Sequence, residues 1–119
     1  MKHHKSRRKF GRDYAGRVAL FRSLALALID NEKIKTTEAR AKELRPLIES
    51  MVTRGRKADL ASRRLLIARL GGVSGEAGAK KLIEEIAPRY ATRPGGYTRI
   101  INLPRRGGDA SPMAVIEFV

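Results

Sequence analysis

The segment Pro94-Gly95-Gly96 separates two hydrophobic rhythms. Before it, apolar residues recur at steps of three and four, the period of amphipathic helices. After it they crowd into two short β-prone runs, Tyr97 to Leu103 and Met113 to Val119. Helices followed by strands in 119 residues, a length that supports one core, predict an α+β two-layer domain of four helices packed on a small three-stranded sheet.

The first helix is predicted from Tyr14 to Asp30. Tyr14, Val18, Phe21, Ala25 and Leu28 form its stripe, with Phe21 in the core, and Asp13 stands where an N-cap belongs. Asn31 and Glu32 make a turn. Lys33 to Thr37 is then a short strand, whose lysines suit a sheet edge because they discourage further pairing. Thr36 or Thr37 caps a second helix that starts at Glu38, buries Leu44, Leu47, Ile48, Met51 and Val52, and ends at Gly55. Pro46 lies inside it, so a kink or break is expected near Leu44 to Pro46. Asp59 caps a third helix carrying Leu60, Leu65, Leu66, Ile67 and Leu70, stopped by Gly71 and Gly72. Ser74 caps a fourth, with Leu82, Ile83 and Ile86 buried and Pro88 near its end. In the last strand Ala114, Ile116 and Phe118 share one face and Met113, Val115 and Glu117 the other, so one face packs on the helices and the other is only partly covered; the alternation alone does not say which, though Phe118 reads as core. Gly107, Gly108 and Asp109 turn the chain between the two C-terminal strands.

Charge narrows the function. Lys and Arg total 26 against 12 Asp and Glu, a formal charge of +14 at pH 7, and the expected partner is a polyanion. Residues 1–12 hold Lys2, Lys5, Arg7, Arg8, Lys9 and Arg12 with no acid and one large apolar side chain, Phe10. Such a segment buries too little to offset its ordering entropy and reads as an arm that orders on its partner. Residues 13–119, the folded domain, still carry +8.

The same composition removes other classes. Zero cysteines exclude disulfides, thiolate metal sites and Cys nucleophiles, and suit a reducing compartment. The longest apolar run, Leu24 to Ile29, is far short of the ~20 residues of a membrane span. The basic start imitates a presequence, but Arg17 and Arg22 interrupt the apolar stretch and no small-residue cleavage site follows. His3 and His4 are adjacent, so in an extended arm they point apart, cannot share a metal, and are left to stack on bases or stay solvated. The Gly-Gly pairs match no phosphate-loop frame and read as turns. Glu84 and Glu85 diverge around a helix and form a solvated face rather than an acid–base pair. Ser62, Ser74 and Ser111 have no histidine within reach, so a nucleophile triad has no support.

Beyond the arm, cations cluster at Arg54, Arg56 and Lys57, at Arg63, Arg64 and Arg69, and at Arg89, Arg93, Arg99, Arg105 and Arg106. From Arg54 to Arg69 only Asp59 offsets six cations, and from Arg89 to Arg106 there is no acid at all. Stretches without internal counter-ions call for phosphate. Arginine's planar fork binds phosphate bidentately and stacks on splayed bases, which favours folded RNA. Aromatics are too scarce for a platform that reads single strands, so backbone and shape are the expected readout.

Several motifs then fall into a known order: Arg8-Lys9-Phe10-Gly11-Arg12, Ile34-Lys35-Thr36-Thr37, Ala41-Lys42-Glu43-Leu44-Arg45-Pro46, Ile86-Ala87-Pro88-Arg89-Tyr90, Gly95-Gly96-Tyr97-Thr98-Arg99-Ile100 and Arg105-Arg106-Gly107-Gly108-Asp109. Across essentially its whole length the chain resembles the family of the seventeenth protein of the bacterial large ribosomal subunit. The resemblance implies an α+β fold, a structural and non-catalytic role without cofactor or small-molecule substrate, and a place in the cytoplasmic ribosome. It implies 23S ribosomal RNA as partner, near the solvent side and the polypeptide exit region, with other large-subunit proteins as neighbours. The RNA contacts it implies are Lys2, Lys5, Arg7, Arg8, Lys9 and Arg12 of the arm, with His3 and His4 beside them. Lys42, Arg45, Arg89, Arg93, Arg99, Arg105 and Arg106 follow from the later motifs. In one place the chain departs from the family, which usually has a Ser/Thr-rich step after the arm: here stands Asp13-Tyr14-Ala15-Gly16, whose carboxylate repels phosphate unless it caps the helix.

Two rival readings belong to other classes. A bacterial chromatin-like DNA binder is disfavoured by the lack of a recognisable helix-turn-helix. A phosphate-ester enzyme would need paired carboxylates or a metal cage in a pocket.

Overall fold

A computed structural model of the chain describes residues 13–119. Lys2, His3, His4, Lys5, Arg7, Arg8, Lys9 and Arg12 lie outside the described residues. The described elements are α1 (Tyr14–Asn31), β1 (Lys33–Thr37), α2 (Glu38–Gly55), α3 (Leu60–Leu70), α4 (Gly72–Lys81), β2 (Thr98–Leu103) and β3 (Met113–Phe118). A π turn, Leu82–Ile86, and a 3₁₀ turn, Ala87–Tyr90, continue α4. This is the expected α+β arrangement of four helices and a three-stranded sheet.

Local chemistry sets most boundaries. The Asp13 side chain accepts from the Gly16 N–H at 2.7 Å and so caps α1. Thr37 does the same for α2 through the Arg40 N–H, and Asp59 for α3 through the Ser62 N–H at 2.7 Å. Glu32 closes α1 in the left-handed region (φ 65°), its N–H reaching the Leu28 carbonyl.

The sheet is antiparallel throughout, in the order β1-β3-β2, so the C-terminal strand is central and the lysine-bearing strand lies at an edge. In β1, Lys33 and Lys35 face solvent while Thr36 is buried. Ala114, Ile116 and Phe118 of β3, which alternation places on one face, are the ones that turn inward. Helix α2 contacts all three strands, and α1 contacts the other helices and β1. Between the layers Leu28, Ile29, Leu44, Ile48, Leu66, Leu82, Ile86 and Ile116 are buried in one core. Met113 is buried too, although its strand position faces away from that layer.

The structure corrects several expectations. Helix α2 runs through Pro46 without a break. Pro46 and Lys42, whose carbonyl loses the ladder donor, are both exposed on the outer side of the helix, so water can satisfy that carbonyl and the core side stays intact. Helix α4 begins at Gly72 rather than behind Ser74. Gly71 (φ 83°) ends α3, its own carbonyl accepts from the Gly75 N–H at 2.8 Å, and a single residue thereby serves both helix ends. The tight reversal presses α4 on α3, and a Cβ at Gly75 would stand 3.0 Å from the Ile67 carbonyl oxygen. Beyond Lys81 the ladder does not stay α-helical. The Ala87 N–H reaches back five residues to Leu82, and the 3₁₀ turn around Pro88 follows. The stripes also end early. Tyr14 is 71% and Leu60 61% exposed, and Phe21 is half-buried, packed against the core rather than in it.

Candidate nucleic-acid interface

The side chains that the sequence marks as phosphate contacts divide into two groups. One is engaged within the fold. Arg89 grips both carboxylate oxygens of Glu32, the second at 2.8 Å. Glu32 lies 57 positions earlier in the chain, at the C-terminal end of α1, and it also attracts Lys81 at 3.9 Å. The Arg89 hydrogen bonds hold the Glu32 carboxyl below its ordinary range. Arg99 pairs with Glu117 at 2.6 Å, its direct cross-strand partner. Arg106 makes a bidentate pair with Asp109, which keeps that carboxyl well below the usual carboxylate range, helped by the Ser111 N–H. Arg105 donates to the Ala110 carbonyl at 2.9 Å, and the loop closes on itself with Ala110 at φ 58°. Lys42 pairs with Glu38, and Arg45 with Glu49, one helical turn apart. The expectation that Arg89 to Arg106 lack internal counter-ions is thus corrected. Their acids lie far away in sequence, or just past the counted window, and folding brings them in.

Arg45 and Glu49 begin a strap that the sequence does not reveal. Glu49 accepts from the Gly96 N–H, the Thr98 N–H and the Thr98 hydroxyl, at 3.2, 3.1 and 2.8 Å. Arg45 donates to the Thr98 carbonyl. Further along the same face of α2, Thr53 and Arg56 hydrogen-bond the Tyr97 hydroxyl, and Arg56 donates to the Arg93 and Ala91 carbonyls at 2.8 and 2.9 Å. Tyr97 is fully buried, 5.2 Å from the ring of Tyr90, whose hydroxyl donates to the Val119 carbonyl. Burial raises the Tyr90 phenol above its ordinary value. Arg22 likewise serves the fold, donating to the Arg69 and Ala68 carbonyls at the C-terminus of α3, where a cation complements the helix dipole.

The second group has no acidic partner. Among the described residues Arg54, Lys57, Arg64, Arg69 and Arg93 make no ion pair. Arg54 and Lys57 flank Asp59, whose carboxyl is held below its ordinary value first by its hydrogen bonds with Ser62 and then by these two charges. Asp59 caps α3 and makes no ion pair with either. Arg63, by contrast, reaches Glu84 at 3.5 Å. Among the described residues no group of three or more His, Cys, Asp or Glu side chains converges on a metal-sized site, and no helix is long and apolar enough to cross a membrane.

A grooved surface lies between α1, α2 and α3. It has a volume of about 590 Å³, with Val18, Phe21, Pro46, Leu47 and Met51 as apolar lining and Arg17, Arg22 and Arg69 as its cations.

Comparison with known proteins shows the family to which the chain belongs. The family model described as "Ribosomal protein L17" matches residues 20–119. The chain is 51% identical over 116 residues to the large ribosomal subunit protein bL17 of Shouchella clausii, covering 93% of this chain and 97% of that protein. It is 49% identical to the bL17 of Halalkalibacterium halodurans over the same shares of the two chains. Against the bL17 of Syntrophotalea carbinolica it is 47% identical over its whole length, 75% of that protein. The chain therefore belongs to the ribosomal protein L17 family, whose members are components of the ribosome rather than enzymes.

Proposed function

We propose that this chain is a structural constituent of the large ribosomal subunit that binds 23S ribosomal RNA near the polypeptide exit region, beside other large-subunit proteins. The observation that carries the reading is that Arg54, Lys57, Arg64, Arg69 and Arg93, which stand in the stretches of the chain poorest in acid, make no ion pair among the described residues. A compact body does not keep such charges for its own stability, because like charges repel; phosphates supply the missing anions. The arm extends the same logic. Lys2, Lys5, Arg7, Arg8, Lys9 and Arg12, with His3 and His4, have no acid among them and neutralise RNA backbone, releasing condensed counter-ions. Arg93 and Arg105 join them from the body. Lys42, Arg45, Arg89, Arg99 and Arg106 contribute through the donors their carboxylates leave free, and so contribute less.

Competition binding tests the reading. At equal salt the full chain should prefer a 23S rRNA transcript to duplex DNA of matched length, and in sucrose gradients it should travel with the large subunit. Equal affinity for both nucleic acids, or sedimentation only as free protein, contradicts it. Cross-linking from exposed Arg93 to proteins around the exit region checks the location.

A further inference from the structure

The groove between α1, α2 and α3 holds a carboxylate that the rest of the chain does not explain. Among the described residues Asp30, Glu43, Glu76 and Glu85 neither cap a helix nor pair with a cation, and Glu43 alone of these four is not exposed. It is half-buried and lines the groove opposite a cationic rim. Its neighbours on α2, Lys42 and Arg45, turn instead to Glu38 and Glu49.

The rest of the lining has the chemistry of a nucleotide site. The apolar surface of Val18, Phe21, Pro46, Leu47 and Met51 suits the face of a base. Tyr14 leaves 71% of its surface exposed at one end, with the Arg17 guanidinium carbon 5.9 Å from its ring centroid, a ring and cation pair on which a base can stack. Arg69 carries a charge with no acidic partner, and Arg22 is fixed beside it by the α3 carbonyls. The volume, about 590 Å³, lies within the range of sites for molecules of nucleotide size. Among the described residues the lining sets Arg17, Arg22 and Arg69 against the single acid Glu43, so charge favours an anionic ligand.

We propose that this groove takes one unpaired guanosine nucleotide of the bound RNA, its Watson–Crick edge on Glu43 and its phosphate on Arg69. A carboxylate only accepts hydrogen bonds. Guanine is the RNA base that offers two adjacent donors on that edge, N1–H and the N2 amine, whereas each of the others sets an acceptor next to its donor, and a carboxylate repels it. The groove therefore adds a sequence preference to contacts that otherwise follow backbone and shape. This inference rests on the RNA-binding reading above.

The test titrates the isotope-labelled full chain with GMP, AMP, CMP and UMP and follows the amide resonances of Val18, Leu47 and Ser50, while the same protein's affinity for a 23S rRNA transcript is measured in parallel. GMP should move these amides at roughly one tenth the concentration that AMP requires. Glu43→Gln should bring that ratio close to one with its amide spectrum otherwise preserved, and Arg69→Gln should weaken all four nucleotides by a similar factor. Groove amides that stay still, respond alike to all four nucleotides, or keep their guanine preference in Glu43→Gln overturn the proposal. If the transcript still binds in that case, the groove inference fails alone; if the transcript does not bind, the RNA-binding reading fails with it.

Discussion

The stretch from Arg89 to Arg106 and the stretch from Arg54 to Arg69 are equally basic on paper, yet the fold treats them differently. In the first, Glu32, Glu117 and Asp109 are each within reach of one arginine, which leaves those side chains oriented and electrostatically quiet. In the second, Asp59 caps a helix, Glu84 takes Arg63, and Arg54, Lys57, Arg64 and Arg69 keep their full charge. A run of cations is therefore a weak guide to a binding face until the distant acids have been placed. What matters is charge without a partner after folding.

The largest expected effect concerns an arginine that belongs to neither binding group. Arg56→Ala removes three hydrogen bonds that tie the segment from Ala91 to Tyr97 onto α2 and leaves a buried tyrosine hydroxyl with one partner fewer. It should cost about 2 kcal/mol by chemical denaturation while leaving the salt slope of RNA binding close to that of the unaltered chain. A large drop in slope with unchanged stability would move Arg56 into the binding set. Next in size is Glu32→Gln. The pair with Arg89 is about 39% exposed on both sides, so solvent screening limits its worth to about 0.5–1 kcal/mol near neutrality. Because Arg89 depresses the folded-state pKa of Glu32, the contribution is complete above the ordinary carboxylate value of 4.5 and fades as pH falls through the depressed one. The stability difference between the two proteins should therefore shrink steadily below pH 4.5, and a difference that grows there would contradict the pairing. The smallest effect is expected from Asp109→Asn, whose ion pair lies on an exposed loop. It should leave the thermal midpoint within error and strengthen RNA binding slightly, by releasing Arg106.

Features decided within a few residues were readable from sequence. The caps at Asp13, Thr37 and Asp59, the shared face of Ala114, Ile116 and Phe118, and the edge position of Lys33–Thr37 all follow from neighbouring side chains and the strand or helix period, whereas which face of the last strand is covered does not. Asp13 proved to be a cap, so its carboxylate is committed to the Gly16 N–H. Features decided by tertiary geometry were not readable. Ser74 is a better intrinsic cap than Gly71, but the close seating of α4 on α3 requires the reversal three residues earlier, and only glycine adopts its dihedrals freely. The π turn at Leu82 likewise depends on registering Leu82, Ile83 and Ile86 against the core ahead of Pro88. For the candidate interface, residue type was legible and availability was not, since Arg89 and Glu32 meet only after α1 and the end of α4 pack together.

The most direct test compares the salt dependence of rRNA binding for two sets of substitutions in the full chain. Changing Arg54, Lys57, Arg64 and Arg93 to Gln should flatten the slope of log K against log salt by roughly 3. Changing Arg89, Arg99 and Arg106 to Gln should flatten it by less than about 1. Equal flattening per residue in the two sets, or a larger effect from the second, would contradict the claim that cations left unpartnered by folding do most of the binding.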